Sequence, residues 1–306
     1  MPDARHRDSI GTRALFWEDY RPGMEWLTPG RTITATDIAL WGRYAGGSAY
    51  LAEADEGGCL LPQAAFAIAT GLEQRLGLKE GTGIAFLSAR FDCPRPIQAG
   101  VTLRVRQRLV GTVPTRNPGC GLVRFAVRLE DRGGVAYQEG EWLLMVRRRP
   151  GAAGGETGGS KARASEDAAC SGTTLYSPFR AITQADILYG SQLAADYNPV
   201  HTDALCARAA GFAGPILQGP AGAAIAAGLL SRLLAAEGER AEVLAIDWTF
   251  HKPILAGMTV RLEVGRIADP SRSGRETFNL VLVDRDREKL QSGNWTVQFH
   301  QQVPRP

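Results

Sequence analysis

The chain repeats itself, and the repeat limits what it can fold into. Arg31-Thr32-Ile33-Thr34-Ala35-Thr36-Asp37-Ile38 is matched by Arg180-Ala181-Ile182-Thr183-Gln184-Ala185-Asp186-Ile187. Ala65-Phe66-Ala67-Ile68-Ala69-Thr70-Gly71-Leu72 is matched by Gly222-Ala223-Ala224-Ile225-Ala226-Ala227-Gly228-Leu229. Pro94-Arg95-Pro96-Ile97-Gln98-Ala99-Gly100-Val101 is matched by His251-Lys252-Pro253-Ile254-Leu255-Ala256-Gly257-Met258. The order is the same in both halves, which reads as duplication of one structural unit. Between the halves lies a stretch of small and polar residues that cannot bury enough apolar surface to offset its ordering entropy. The expected organisation is a first unit at 1–148, a flexible linker at 149–174 and a second unit at 175–306. The triplet Arg147-Arg148-Arg149 reads as the solvated end of a strand.

Each unit has the same coarse plan. A Thr-x-x-Asp sequence (Thr34 to Asp37, Thr183 to Asp186) opens a short helix as a capping box with Asp in place of the usual Glu. A longer apolar helix follows, expected at Gln63–Leu76 and at Pro220–Ala236, with Pro220 suited to the first helical position and Gly219 to the cap before it. Strands come last. Val101 to Leu109 alternates apolar and basic residues, as a half-buried strand should, while Asp131-Arg132-Gly133-Gly134 and Asp284-Arg285-Asp286-Arg287 read as hairpin turns. One long helix with hairpin-linked strands gives an α+β class, a curled antiparallel sheet wrapped around a helix, built twice.

Composition narrows the function classes. The formal net charge is +3, without the basic excess of a nucleic-acid binder. No uninterrupted apolar run approaches the roughly 18 residues of a membrane span, and the polar N-terminus has no apolar signal region. The five cysteines are odd in number and scattered, which points to reduced thiols and a cytoplasmic protein.

The chemistry is concentrated in the second unit. Asp196-Tyr197-Asn198-Pro199-Val200-His201 sets a carboxylate, a carboxamide and an imidazole close together. The loop Gly211-Phe212-Ala213-Gly214-Pro215-Ile216-Leu217-Gln218-Gly219 then leads into the apolar helix. An acid, a base and a free backbone donor are what adding water across an activated double bond needs. Histidine ordinarily changes protonation near neutral pH and is the natural general base. Asp196 would hold the same water or deliver the proton, and Asn198 would orient the water or the carboxylate. The N–H of Gly219, at a helix start where backbone donors are free, would hold the oxyanion. Without the repeat and the glycine loop, Asp-x-Asn-Pro would be only a good turn sequence. His201-Thr202-Asp203 lacks the second ligand cluster of a metal site. His251 reads as a structural strand histidine.

The first unit lacks the same groups. Aligned on the repeats, Gly47 falls opposite Asp196, Ala52 opposite His201, and Pro62, which has no N–H, opposite Gly219. The expectation is one active site per chain, with the first unit as its paired, catalytically degenerate half.

The motif, the glycine-rich loop and the apolar helix resemble the MaoC-like (R)-specific enoyl-CoA hydratases, or hydratase 2 family, and the two-unit chain resembles their double-hot-dog members. The family often has Gly before the aspartate and His before the helix glycine, where this chain has Ala195 and Gln218. The resemblance implies a double hot-dog fold and hydro-lyase action with (R) stereochemistry. It also implies an acyl-CoA or acyl-carrier-protein thioester as substrate, with no cofactor and no metal. Asp196, His201, Asn198 and Gly219 are the catalytic candidates; Tyr197, Gln218, Lys252 and Arg208 are candidates for substrate contact, and Arg95 is a further basic residue that would meet phosphates. Neither nucleic acid nor a membrane is an expected partner, and a homodimer is slightly preferred over a monomer. The competing readings are a carrier-protein-linked dehydratase, a non-catalytic thioester-binding scaffold and a hot-dog thioesterase. The last would need a carboxylate on the central helix, and Pro220–Ala236 has none.

Overall fold

The computed structural model describes residues 14–46, 58–79, 81–151, 174–267 and 274–299. In the first unit a 3-10 turn at Trp17–Asp19 precedes β1 (Glu25–Leu27), β2 (Arg31–Thr32), α1 (Ala35–Ala45) and the central helix α2 (Pro62–Gln74). The strands β3 (Gly83–Asp92), β4 (Thr102–Pro114), β5 (Cys120–Glu130) and β6 (Ala136–Arg147) follow. The second unit repeats this order. It runs through β7 (Leu175–Tyr176), β8 (Arg180–Ala181), α3 (Gln184–Ala194), a 3-10 turn at Pro199–His201, the short α4 (Ala204–Ala209) and the central helix α5 (Gly219–Ala236). It closes with β9 (Ala241–Phe250), β10 (Thr259–Ile267), β11 (Arg275–Asp284) and β12 (Lys289–Phe299).

All the long strands join one sheet of 12 strands in the order β1-β4-β5-β6-β3-β9-β12-β11-β10-β7, with β2 on β4 and β8 on β10. The equivalent strands β3 and β9 meet in the middle, antiparallel, from Ser88 opposite Thr249 to Asp92 opposite Ala245. Antiparallel pairing of equivalent strands relates the two units by an approximate two-fold and leaves both central helices on the same inner side. The expected turns close β5 to β6 and β11 to β12, where Asp131 and Asp284 side chains accept from backbone N–H groups of Val135 and Glu288.

The core lies between sheet and helices. Ile68 and Leu72 on α2, Ile225 and Leu229 on α5, and Trp248 and Trp295 on the sheet are all buried. Each such side chain contributes about 1.5–3 kcal/mol by leaving water. By length and composition α5 is apolar enough to cross a membrane, but 67% of it is buried inside this fold, as expected for a core helix. The two central helices can approach α1 and α3 because each carries a glycine at the crossing. A Cβ on Gly71 would stand 1.9 Å from the carbonyl oxygen of Ala194, and one on Gly228 would stand 2.0 Å from that of Ala45.

The capping boxes form in both copies. Thr34 and Asp37, and Thr183 and Asp186, exchange side-chain and backbone hydrogen bonds. Burial disfavours the charge on Asp186, but hydrogen bonds from Thr183 and Arg180 outweigh it and hold the carboxyl below its ordinary 3.8. Asp37 is lowered by the same balance with Thr34 and Arg31. The two arginines also cross between units. Nη1 of Arg31 donates to the Leu193 carbonyl at 2.8 Å, and Nη1 of Arg180 donates to the Ala45 carbonyl at 2.9 Å. Each unit therefore anchors the last turn of the other unit's first helix.

The arginine triplet is not solvated as its charge led us to expect. Arg148 is buried with its guanidinium over the Trp17 ring, 4.2 Å from its centroid, and Arg149 pairs with Asp19. Stacking on an aromatic face offsets part of the desolvation cost. Arg149 thus packs on the first unit, and 152–173 of the linker lie outside the described residues, as do Gly47 and Ala52.

Candidate active site

The C-terminal end of α3 places the motif. The helix stops at Ala195, whose left-handed backbone (φ 56°) turns the chain, and the N–H of Asp196 returns to the Ser191 carbonyl. Gly46 ends α1 in the same conformation (φ 82°), so Gly47 is the residue that follows the matching turn in the first unit. Asn198 then caps the 3-10 turn: its side-chain oxygen accepts from the N–H of Val200. Its backbone N–H donates to Oδ1 of Asp196 at 3.1 Å. The backbone of Asn198, rather than its carboxamide, orients the carboxylate.

Asp196 and His201 are both buried, at 5% and 8% exposure, and both line a cavity of 360 Å³. Nε2 of His201 lies 3.7 Å from Oδ2 of Asp196. On its other side, Nδ1 of His201 lies 2.8 Å from the carbonyl oxygen of Ile216. A carbonyl can only accept, so Nδ1 carries a proton, and in the neutral form of the ring the lone pair is on Nε2. A lone pair and a carboxylate at this separation are two acceptors that one water could bridge with its two protons.

The second side of the site is the start of α5. Leu217 donates to the Ile254 carbonyl at 2.8 Å, and Leu60 donates to the Ile97 carbonyl at the same distance in the first unit. This matched pair sets Pro62 opposite Gly219. A side chain on Gly219 would press on Phe250, 2.9 Å from its ring. Gln291 donates to the Gly219 carbonyl and accepts from the Trp248 indole, which fixes the first peptide of the helix. The N–H of Gly219 has no preceding helical carbonyl to bond, and the next residue is Pro220. Gln218 lines the cavity beside it, buried, and neither atom of its amide has a partner among the described residues. A buried amide without partners costs about 1–3 kcal/mol, which a ligand's polar atom would relieve.

The other candidates separate. Lys252 lines the cavity and is ion-paired with Glu288. Tyr197 does not line it: Asp196 and Asn198 face inward, and the residue between them is turned outward, 67% exposed. Arg208 sits exposed on α4, away from the cavity lining, and Arg95 lines a different cavity, built by both units. His251, expected as a plain strand histidine, lines the same cavity as Asp196 and His201, next to Lys252, with Nε2 2.8 Å from Oγ of Ser292.

The first unit builds the rest of the cavity. Thr70, Glu73 and Gln74 on α2, Lys79, and Ile84 to Leu87 on β3 form its far wall. None of these stood out in the sequence. The signal that finds Thr70, Glu73 and Gln74 is the helical spacing i, i+3, i+4 on a helix whose twin faces its own cavity with Ala227, Leu230 and Ser231.

Residues 168–284 match the MaoC-like domain family. No curated protein matches the chain. Among solved structures, a protein from Chloroflexus aurantiacus described as a MaoC domain dehydratase superposes with a TM-score of 0.76 at 18% identity, covering 96% of this chain and 100% of that one. A Mycobacterium tuberculosis protein described as having a double hotdog fold gives 0.68 at 18% identity, covering 94% of this chain and 99% of that one. Peroxisomal multifunctional enzyme type 2 from Drosophila melanogaster gives 0.63 at 15% identity, covering 90% of this chain and 48% of that one. The fold is a double hot dog, and the MaoC-like domain supports a hydratase or dehydratase.

Proposed function

We propose that the protein is a hydro-lyase that adds water to, or removes it from, a 2-enoyl or 3-hydroxyacyl thioester carried on coenzyme A or an acyl carrier protein. The observation that carries this reading is the juxtaposition of the buried Asp196–His201 pair with the start of α5 in one cavity. The water bridges Nε2 of His201 and Oδ2 of Asp196. Its oxygen attacks C3 while His201 takes one of its protons. The electron pair of the double bond moves toward the thioester oxygen, where the Gly219 N–H stabilises it. Return of a proton from the pair to C2 completes the addition of one water, and the reverse sequence is dehydration. The resemblance to hydratase 2 supports (R) stereochemistry at C3.

A thioesterase is the reading that the structure makes worth separating. Pro220–Ala236 carries no carboxylate, but Glu73 enters the cavity from α2, the other unit's central helix, bound to Lys79. Loss of the enoyl-thioester absorbance of crotonyl-CoA without release of free thiol, giving (R)-3-hydroxyacyl product, is the expected result. Free thiol as the main product would replace this reading with the thioesterase, and neither signal with any enoyl thioester would leave a scaffold.

A further inference from the structure

Glu73 and Lys79 form a buried ion pair in the wall of the catalytic cavity, with side-chain exposures of 4% and 7%. Lys79 also lies over the Phe125 ring, 4.6 Å from its centroid, and its carbonyl is held by the N–H groups of Thr82 and Gly83. Burial pushes the Lys79 ammonium down and the Glu73 charge opposes that shift. Burial, and after it the charge of Glu73, pushes the Tyr20 hydroxyl up, and that hydroxyl is without a hydrogen-bond partner among the described residues.

A buried ion pair seldom stabilises a fold relative to apolar residues of the same size. The protein itself contains the comparison. Matching Pro62 to Gly219 places Glu73 opposite Leu230, which occupies the same helical position in the other unit and lines the other cavity. The fold therefore does not require a charge at this position; only the helix that faces Asp196 and His201 carries one.

We propose that this pair selects the acyl group, favouring a 2-enoyl thioester that carries a hydroxyl beyond C3. The chemistry of the wall decides the class. The pair is already neutral, so a ligand carboxylate or ammonium there would be a third, unbalanced buried charge. A hydrocarbon would exclude water from the open lone pairs of Glu73 and the remaining N–H groups of Lys79 while giving nothing in return. A hydroxyl donates to the carboxylate and accepts from the ammonium at once.

This inference rests on the hydro-lyase reading, and its test keeps the two apart. The wild type is assayed by kcat/KM on trans-2-enoyl-CoA esters of increasing length, each plain and with a hydroxyl at successive carbons beyond C3. The same series is run on the double variant Glu73→Leu/Lys79→Met, which removes both charges together and copies Leu230, with thermal unfolding of both proteins recorded. The expected result is a preference of about tenfold or more for one hydroxyl position in the wild type, the scale of a hydrogen bond to a charged group. That preference should disappear in the double variant at similar thermal stability. Equal or better use of the plain ester at every length, or a hydroxyl preference that survives the double substitution, overturns the proposal. Hydration of plain esters in that case would leave the hydro-lyase reading standing, whereas no turnover of any ester would remove both.

Discussion

Gly71 offers a way to disturb the Asp196 turn from the other unit. Helix propensity alone predicts that Gly71→Ala stabilises α2 by about 1 kcal/mol. The packing predicts the opposite. The new Cβ would stand 1.9 Å from the Ala194 oxygen and 2.9 Å from the Ala195 carbonyl carbon, against 3.4 Å for an ordinary contact. Backbone must therefore give by about 1.5 Å. Overpacking of this kind costs about 1–3 kcal/mol, and here it falls on the turn that delivers Asp196. A displacement of this order in a reacting group costs about 100-fold in turnover. Gly228→Ala is the matched control, because it makes the same clash with Ala45, at the end of α1. Both variants should lose several degrees of thermal stability, and only Gly71→Ala should lose kcat on an enoyl-CoA ester, by about 100-fold. Equal activity losses in the two variants, or a Gly71→Ala protein with unchanged melting and full activity, would refute the reasoning.

Three further outcomes follow from the site's surroundings. Ala195→Gly should raise stability by about 1 kcal/mol, because Ala195 holds a left-handed backbone that glycine adopts freely; denaturant unfolding checks it, and a loss of stability would count against the turn geometry. The folded Asp186 carboxyl titrates below its ordinary 3.8, so its contribution is present above that value and fades as pH falls through the lower folded value. Asp186→Ala should therefore cost about 1 kcal/mol at neutral pH, and the gap to wild type should close in acid; a gap independent of pH would contradict this. Burial pushes the Cys93 thiol up, while Cys206 is exposed, so mass-resolved alkylation of the folded protein should label Cys206 well before Cys93.

Much of the architecture could be read from the chain because it is local and written twice. Thr-x-x-Asp marked both helix starts, and the Gly-Pro sequence at 219–220 marked the second central helix, since caps depend on residues close in sequence. The motif brought Asp196 and His201 together because the 3-10 turn spans only Pro199–His201. What stayed hidden depends on distant packing. Glu73 and Lys79 reach the cavity only because β3 pairs with β9, and Arg31 reaches Leu193 across the approximate two-fold. Arg148 was misjudged because a charge run says nothing about Trp17, far away in sequence, being available to cover it. Tyr197 and Arg208 carry suitable chemistry on the outward side of a turn and a short helix, a direction that spacing alone did not reveal.

The most direct test of the central claim is kcat/KM for hydration of a short and a medium trans-2-enoyl-CoA by the wild type, Asp196→Asn and His201→Ala, with folding checked and product chirality determined. The account predicts wild-type turnover to (R)-3-hydroxyacyl-CoA and a loss of about 100-fold or more in each variant, the scale of a removed acid–base group. Turnover that survives both substitutions would place the chemistry elsewhere in the molecule.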